Sequence, residues 1–342
     1  MSLLGIDIGQ STIKLVLVSK DTGNLVLENI SEIKSPQMEI KTIEDRSKYF
    51  GEVAKIVKDA LADLKIKEKR VVVDLPESEV ISRLIRLPPL KDSEILDALK
   101  FEAETFVPYP LSEVSIDYDV VEKDDAGRLT VFVVAAKNEL IQFLVKMFKT
   151  LGMELMALES PSIALGRVIK NSIKTVERVV AVDFGEKYTS IFNFNKGNVY
   201  FSRSIPVGGE SLTRAVSLGL GLDMSSAEEY KKAYGIKENE LEGKIRTATM
   251  PVLNTITEEI RKAMALFVED SGGKAVELLI LSGGGARLPG MAEELTKLMG
   301  VEVQIVQPFI NIDVTKIKLP IDLNNDGSRF TLAVGLALRG MI

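Results

Sequence analysis

The sequence repeats its own opening once, 176 residues later, and that repeat narrows the folds open to it. Residues 3–33 read as a meander of three strands, LLGIDI, IKLVLVS and LVLENISEI, with Asp21-Thr22-Gly23-Asn24 as turn residues between the second and third. From residue 178 the pattern returns as RVVAVDFG, TSIFNF and NVYFSRSI, with Asn195-Lys196-Gly197-Asn198 as the turn. The offset lays Asp7 on Asp183 and Gly9 on Gly185, each at the end of an apolar strand. A repeat of this length implies two related α/β domains facing each other, not a solenoid of short units. The 342 residues agree, since ~150 residues per domain gives about two.

The segments between the meanders differ. In the first half, apolar residues at helical spacing predict a helix over 47–64, and the run Val71 to Leu75 predicts a buried strand. Residues 80–151 then read strand, helix, strand, strand, helix. The helices fall at 93–106 and 138–151 and the last two strands at 115–122 and 129–136, which describes a compact α+β subdomain inserted in a larger one. The second half carries expected helices at 210–220, 225–233, 251–270 and 291–299, strands at 276–281 and 301–306, and a terminal helix at 328–339.

Composition restricts the chemistry. There is no histidine, cysteine or tryptophan. A Ser-His-Asp triad, a thiol nucleophile, a zinc site with nitrogen or sulfur ligands, an iron–sulfur cluster and a disulfide are therefore excluded. Any metal must be a hard cation on oxygen ligands, Mg²⁺ or Ca²⁺. A net charge of -6 exerts no diffuse pull on phosphate backbones, and the basic run Lys65 to Arg70 is broken by Glu68, so no nucleic-acid partner is expected. The opening MSLLGIDIG has no signal-peptide pattern. Apolar runs such as Val131 to Ala136 fall far short of the ~20 residues of a membrane span. A cytoplasmic chain with no direct membrane span is the expectation.

Each repeat carries an Asp-x-Gly turn. Glycine lets backbone N–H groups approach a phosphate closely, and the carboxylate is placed to hold Mg²⁺ through its water shell, so Asp7 and Asp183 are the metal candidates. Lys14 lies seven residues after Asp7 and can reach a phosphate, while Ser11, Thr12 and Thr189 supply hydroxyls. Ser282-Gly283-Gly284-Gly285-Ala286 follows a buried strand, where a glycine turn can lie flat against a nucleotide. Alone, Asp-x-Gly is a common hairpin turn and a glycine triplet a flexible loop. The combination points to a nucleoside triphosphate with Mg²⁺ held between the two halves.

These residues resemble the actin-like ATPase superfamily. GIDIGQSTIK (5–14) looks like its first phosphate motif, DFGEKYT (183–189) like its second and LSGGGARLPG (281–290) like its adenosine motif, with ESPSIALGR (159–167) and AVGLALRG (333–340) where that superfamily has its two connecting helices. One departure is Gln10, where Ser or Thr is usual. Within the superfamily, RLPPLKDSEILDALKFEAETFVPYPLSEVSIDYDVV (86–121) and GGESLTRAVSLGLGLDMSSAEEYK (208–231) are similar to the PilM family of type IV pilus assembly proteins, which is related to FtsA. Only Gly340, Met341 and Ile342 follow Arg339, with no amphipathic membrane helix, and this favours PilM over FtsA.

The resemblance implies an α/β actin-like fold of two duplicated ribonuclease-H-like domains with an inserted α+β subdomain in the first half. It divides the chain at 1–79, 80–152, 153–175, 176–210, 211–273, 274–327 and 328–342. The nucleotide contacts it implies are Asp7, Gly9, Gln10, Ser11, Thr12 and Lys14; Asp183, Gly185 and Thr189; Gly208, Gly209 and Glu210; Glu228 and Lys231; and Gly283, Gly284, Gly285 and Arg287. Glu159 and Glu186 are the carboxylates to test for positioning an attacking water. The implied role is a cytoplasmic ATP-binding component, with at most slow ATPase activity, held at the inner membrane by the cytoplasmic tail of a PilN-like protein. Other platform or motor proteins are further implied partners, and self-association a further capacity. The rival readings are an FtsA-like division filament and a small-molecule kinase of the same superfamily.

Overall fold

The computed structural model describes residues 1–173, 175–270, 272–319 and 321–342. The chain opens with β1 (Ser2–Ile8), β2 (Thr12–Asp21) and β3 (Asn24–Lys34), followed by α1 (Ile43–Asp63) and β4 (Arg70–Asp74). Next come β5 (Val80–Leu87), α2 (Asp92–Ala103), β6 (Val114–Lys123), β7 (Leu129–Lys137), α3 (Asn138–Thr150), β8 (Glu154–Glu159) and α4 (Pro161–Ser172). The second half holds β9 (Arg178–Phe184), β10 (Thr189–Asn195), β11 (Asn198–Ile205), α5 (Gly209–Leu220), α6 (Met224–Tyr234), α7 (Lys244–Asp270), β12 (Leu278–Ser282), α8 (Met291–Met299), β13 (Val303–Ile305), β14 (Ile312–Asp313), α9 (Leu323–Asp326) and α10 (Thr331–Ala337).

The repeat survives at the level of topology. One sheet runs β14-β3-β2-β1-β4-β8 and the other β11-β10-β9-β12-β13. In both, three antiparallel meander strands are followed by two parallel ones. Even the irregularity repeats: the register slips between Leu17 and Val18 in the first meander and between Asn193 and Phe194 in the second, again 176 residues on. A bulge bends its strand and raises the local twist, so both sheets curl alike. Val, Ile, Leu and Phe supply the β-branched and bulky side chains that such doubly covered strands bury.

The third sheet, β5-β7-β6, belongs to the insertion, and α2 buries Ile95, Leu99 and Ala103 against it. Between the two large sheets lie α4 and α10. Ser160 caps α4 by accepting from Ser162 N–H at 3.3 Å, and Pro161 begins it, where a missing N–H costs nothing. The helices cross in close contact: a Cβ on Gly335 would stand 2.1 Å from Ala164 O, and one on Gly5 of β1 would stand 2.1 Å from Ala333 O. The largest buried cluster, including Val16, Ala164, Val168, Phe192 and Phe330, fills this central layer.

Two segments differ from expectation. Glu159, which opens the segment resembling a connecting helix (159–167), instead ends β8 alongside β4, and the helix begins only after the Ser160 cap. α7 begins at Lys244, so Pro251, expected at its start, lies inside it. An interior proline costs about 3 kcal/mol. The helix also buries Ile245, Leu253, Ile256, Ile260 and Phe267, each worth about 1.5–3 kcal/mol, and that outweighs it. No helix among the described residues is long and apolar enough to cross a membrane.

Candidate functional site

The two meanders turn their Asp-x-Gly ends toward a common cleft of about 1370 Å³. At Gly9 a Cβ would stand 2.7 Å from Thr12 O, and at Gly185 2.9 Å from Tyr188 O. The two turns are therefore the same object built twice, each so tight that only glycine fits. The second is braced from behind. Gly209 N–H donates to Gly185 O at 3.0 Å and Glu210 N–H to Glu186 O at 2.8 Å, so the start of α5 holds it.

Register sets the charges. Asp7 pairs with Lys14 across β1 and β2, and Lys14 Nζ donates to Asp7 Oδ2 at 3.1 Å. Burial works to lower the Lys14 pKa, but Asp7, with Glu32 and Asp183 adding to it, outweighs burial and raises it. In the second meander Asp183 pairs with Ser190, which stands where the first has Lys14. Ser282 Oγ donates to Asp183 Oδ1 at 2.7 Å. Burial still holds the Asp183 carboxyl above its usual range, and nearby Asp7 adds to that. A third acid closes β4: Asp74 Oδ1 accepts from Ile8 N–H at 3.2 Å, and burial together with Asp7 lifts its pKa well above normal. Buried acids with raised proton affinity, beside one engaged lysine, form a donor set for a hard cation. Among the described residues no three acidic side chains group closely enough to chelate a metal unaided.

The far side of the cleft is built by α5, α6 and the glycine turn after β12. Glu228 and Lys231 lie on one face of α6, with Nζ to Oε2 at 2.6 Å. Lys231 Nζ also donates to Gly209 O at 3.0 Å and Thr213 Oγ1 at 2.7 Å. Its three donors are thus spent on tying α6 to the first turn of α5. Burial lowers the Lys231 pKa in spite of Glu228, whereas hydrogen bonds from Lys231 and Thr213 overcome the effect of burial on Glu228 and hold it at about 2. The glycines differ in role. A Cβ on Gly285 would meet the Phe184 ring at 2.1 Å, and one on Gly283, with φ of 81°, would meet Phe184 O at 2.7 Å, whereas one on Gly284 would meet nothing within 4 Å. Gly283 and Gly285 are needed for packing, and Gly284 presents bare backbone to the cleft.

Of the sequence candidates, Asp7, Gly9, Gln10, Ser11, Thr12, Lys14, Asp183, Gly185, Glu186, Gly209, Glu210, Glu228, Lys231, Gly283, Gly284, Gly285 and Arg287 all line this cleft. Arg287 is paired with Asp326. Three candidates lie outside the cleft lining. Thr189 pairs with Phe184 and occupies the position of fully buried Ile13 in the first meander; its hydroxyl donates to Val207 O at 2.7 Å, away from the cleft. Gly208 packs behind the second turn, where a Cβ would stand 2.5 Å from Glu186 O. Glu159, at the end of β8, is 4% exposed and gripped by Arg167, at 2.9 and 3.0 Å, and by Arg339. It ties β8 to α4 and to the residues after α10, and it does not line the cleft. Sequence reasoning overlooked Asp74 and Glu77, both on the cleft wall. The signal was present for Asp74, which ends an apolar strand (VVVD) as Asp7 and Asp183 do.

With this geometry in hand, the relatives are informative. The family model described as "Type IV pilus assembly protein PilM" matches residues 5–341. The solved PilM-PilN type IV pilus biogenesis complex contains a chain 26% identical, with 99% of this chain and 98% of that chain covered and a TM-score of 0.85. MreB 5 of Spiroplasma citri, solved bound to AMPPNP, is 12% identical, covers 98% of this chain and 94% of its own, and superposes with a TM-score of 0.53, a likeness of fold. The cell division protein FtsA of Bacillus subtilis (strain 168) is 24% identical over 155 residues, 38% of this chain; the match spans about a third (34%) of that relative's length. The fold is the actin-like ATPase fold.

Proposed function

The chain belongs to the type IV pilus assembly protein PilM family, and from that premise we propose that it is an ATP-binding component of a pilus assembly platform. In this reading it binds the N-terminal cytoplasmic tail of a PilN-like inner-membrane protein, and the occupant of the cleft regulates that binding. The carrying observation is the near-complete superposition on a chain of the PilM-PilN complex. The reading also places the chain in the cytoplasm, at the membrane through its partner.

The residues fit ATP with Mg²⁺. Two turns in which a Cβ would collide with backbone, at Gly9 and Gly185, keep side chains out of the way of phosphates on opposite walls, and Gly284 leaves open space for a flat ring. Bound Mg²⁺ would supply neutralisation of the phosphate charge. Asp7 and Asp183 would hold the metal through water, and Lys14, kept charged by Asp7, would face the phosphates as a point charge. Glu228 and Lys231 would act by fixing α6 on α5 beside the nucleoside. With Glu159 committed to two arginines, Glu186 remains of the two expected water-positioning carboxylates, and slow turnover is the consistent outcome. In this reading the chain divides at residues 80 and 152 around the insertion, with α4 and α10 as the joints.

The test pairs two measurements on the full chain: calorimetric binding of Mg·ATP and of a synthetic PilN cytoplasmic tail. Asp7→Asn, which keeps the shape beside Lys14, is expected to lose Mg·ATP binding and retain the fold. Undiminished ATP affinity in that variant would falsify the metal placement. An FtsA-like filament would instead show ATP-dependent polymers and no tail binding.

A further inference from the structure

The chain leaves the first large sheet for the inserted subdomain through one short connection. β4 ends at Asp74, residues 77–79 form a single 3-10 turn, and β5 starts at Val80. Two carboxylates on that turn have different partners. Glu77 lies on the cleft wall, and its Oε2 accepts from Ser160 Oγ, the cap of α4, at 3.3 Å. Glu79 Oε2 accepts from Arg46 Nη1 of α1 at 2.7 Å, and Arg46 Nε reaches Glu139 of α3 at 3.7 Å. The whole turn, together with Arg46, thus lies on the cleft wall, and Glu79 also ties it to the joint where α1 meets α3, the helix that leaves the insertion. The insertion in turn touches the second half: Asn198 Nδ2 donates to Val121 O at 3.2 Å and the Tyr200 hydroxyl to Glu122 Oε2 at 3.0 Å, both across to β6.

Resting on the nucleotide reading above, we propose that Glu77 is the positioning residue that reports the cleft's occupant to the inserted subdomain. Its carboxyl group donates a hydrogen bond to a terminal phosphate oxygen, and the 77–79 turn carries the resulting displacement to β5 and the Arg46 joint.

A carboxyl can donate only when protonated. Burial, with the Asp183 carboxylate adding and the Ser160 hydroxyl opposing, lifts Glu77 to about 8. Near neutral pH it therefore carries its proton. Beside it stand the Ser160 hydroxyl, which caps α4, and the Asp183 carboxylate of β9; elsewhere on the cleft wall Lys14 is engaged by Asp7 and Arg46 by Glu79. No cation in this set is free to neutralise an ionised Glu77, so an incoming phosphate meets a donor below pH 8 and a repelling charge above it.

The experiment measures Mg·ATP affinity of the full chain from pH 7 to 9, above the phosphate's own ionisation near 6. It also measures PilN-tail affinity with and without Mg·ATP. If only the protonated form binds, wild-type ATP affinity falls about tenfold between pH 7 and 9. In Glu77→Gln, which keeps a donor without the titration, it stays within about twofold, and the ratio of tail affinities with and without ATP is retained. In Glu77→Ala that ratio collapses toward one. A Glu77→Ala protein that only melts earlier, keeping the wild-type ratio, overturns the proposal, and so does a Glu77→Gln protein with the wild-type pH profile. Failure of the wild type to bind Mg·ATP at any pH would instead overturn the nucleotide reading on which the proposal rests.

Discussion

Replacing Glu159 by Ala separates a structural carboxylate from a catalytic one. Its side chain is 3% exposed, with Arg167 15% exposed beside it. Two hydrogen bonds of 2.9 and 3.0 Å join them, and Arg339 approaches from the end of the chain. Removing one member of a buried, doubly hydrogen-bonded pair costs about 3–5 kcal/mol, because the remaining charge loses its counter-ion. An unfolding entropy of about 2.1 cal/mol/K per residue gives roughly 0.7 kcal/mol/K for a chain of this size. A loss near ~4 kcal/mol therefore lowers the melting temperature by about 6 °C. The assay is a thermal melt followed by circular dichroism, paired with Mg·ATP titration well below the transition. ATP affinity is expected to stay within about twofold, since the Glu159 side chain points away from the cleft. A variant with an unchanged melt and abolished ATP turnover would refute this reasoning and restore Glu159 as a catalytic group.

Three further outcomes follow from the cleft. Gly284→Ala is expected to melt like the wild type and bind ATP at least about tenfold more weakly, whereas Gly285→Ala, whose Cβ would strike the Phe184 ring, destabilises the fold; calorimetry and melts on both variants distinguish them. Gly185→Ala must displace Tyr188 O, so ATP binding is lost with a stability loss of about 1–3 kcal/mol, read by the same pair of measurements. Glu228, held at about 2 against an ordinary 4.5, contributes stability that is complete above 4.5 and lost as pH falls from there toward 2. With 35% of the side chain exposed and screened, that contribution is about 1 kcal/mol, so urea melts should show Glu228→Gln less stable at pH 7 by that amount and level with wild type near pH 2.

Much of this was legible in the sequence because a repeated local pattern encodes a repeated topology. The Asp-x-Gly turns, the meanders and the glycine run after β12 depend on residues a few positions apart, and all line one cleft. Positions decided by packing between distant segments were harder to read. Thr189 looked like a ligand because it is polar, yet strand alternation turns it into the core and turns Ser190 toward the cleft. Glu159 looked like a base because it precedes a connecting helix, but Arg339, 180 residues later, closes over it. Glu77 showed no pattern at all, since its significance comes from Ser160 and Asp183, which only the folded chain brings to it.

Linkage supplies the most direct test of the central claim, that the occupant of the cleft regulates the partner. If Mg·ATP changes the affinity for a PilN-like tail by some factor, the tail must change the affinity for Mg·ATP by the same factor. The measurement is a pair of calorimetric titrations on the wild-type chain, tail into protein with and without saturating Mg·ATP, and Mg·ATP into protein with and without saturating tail. The account predicts two matching ratios, each about fivefold or more from unity. Tail binding with both ratios equal to one would contradict it.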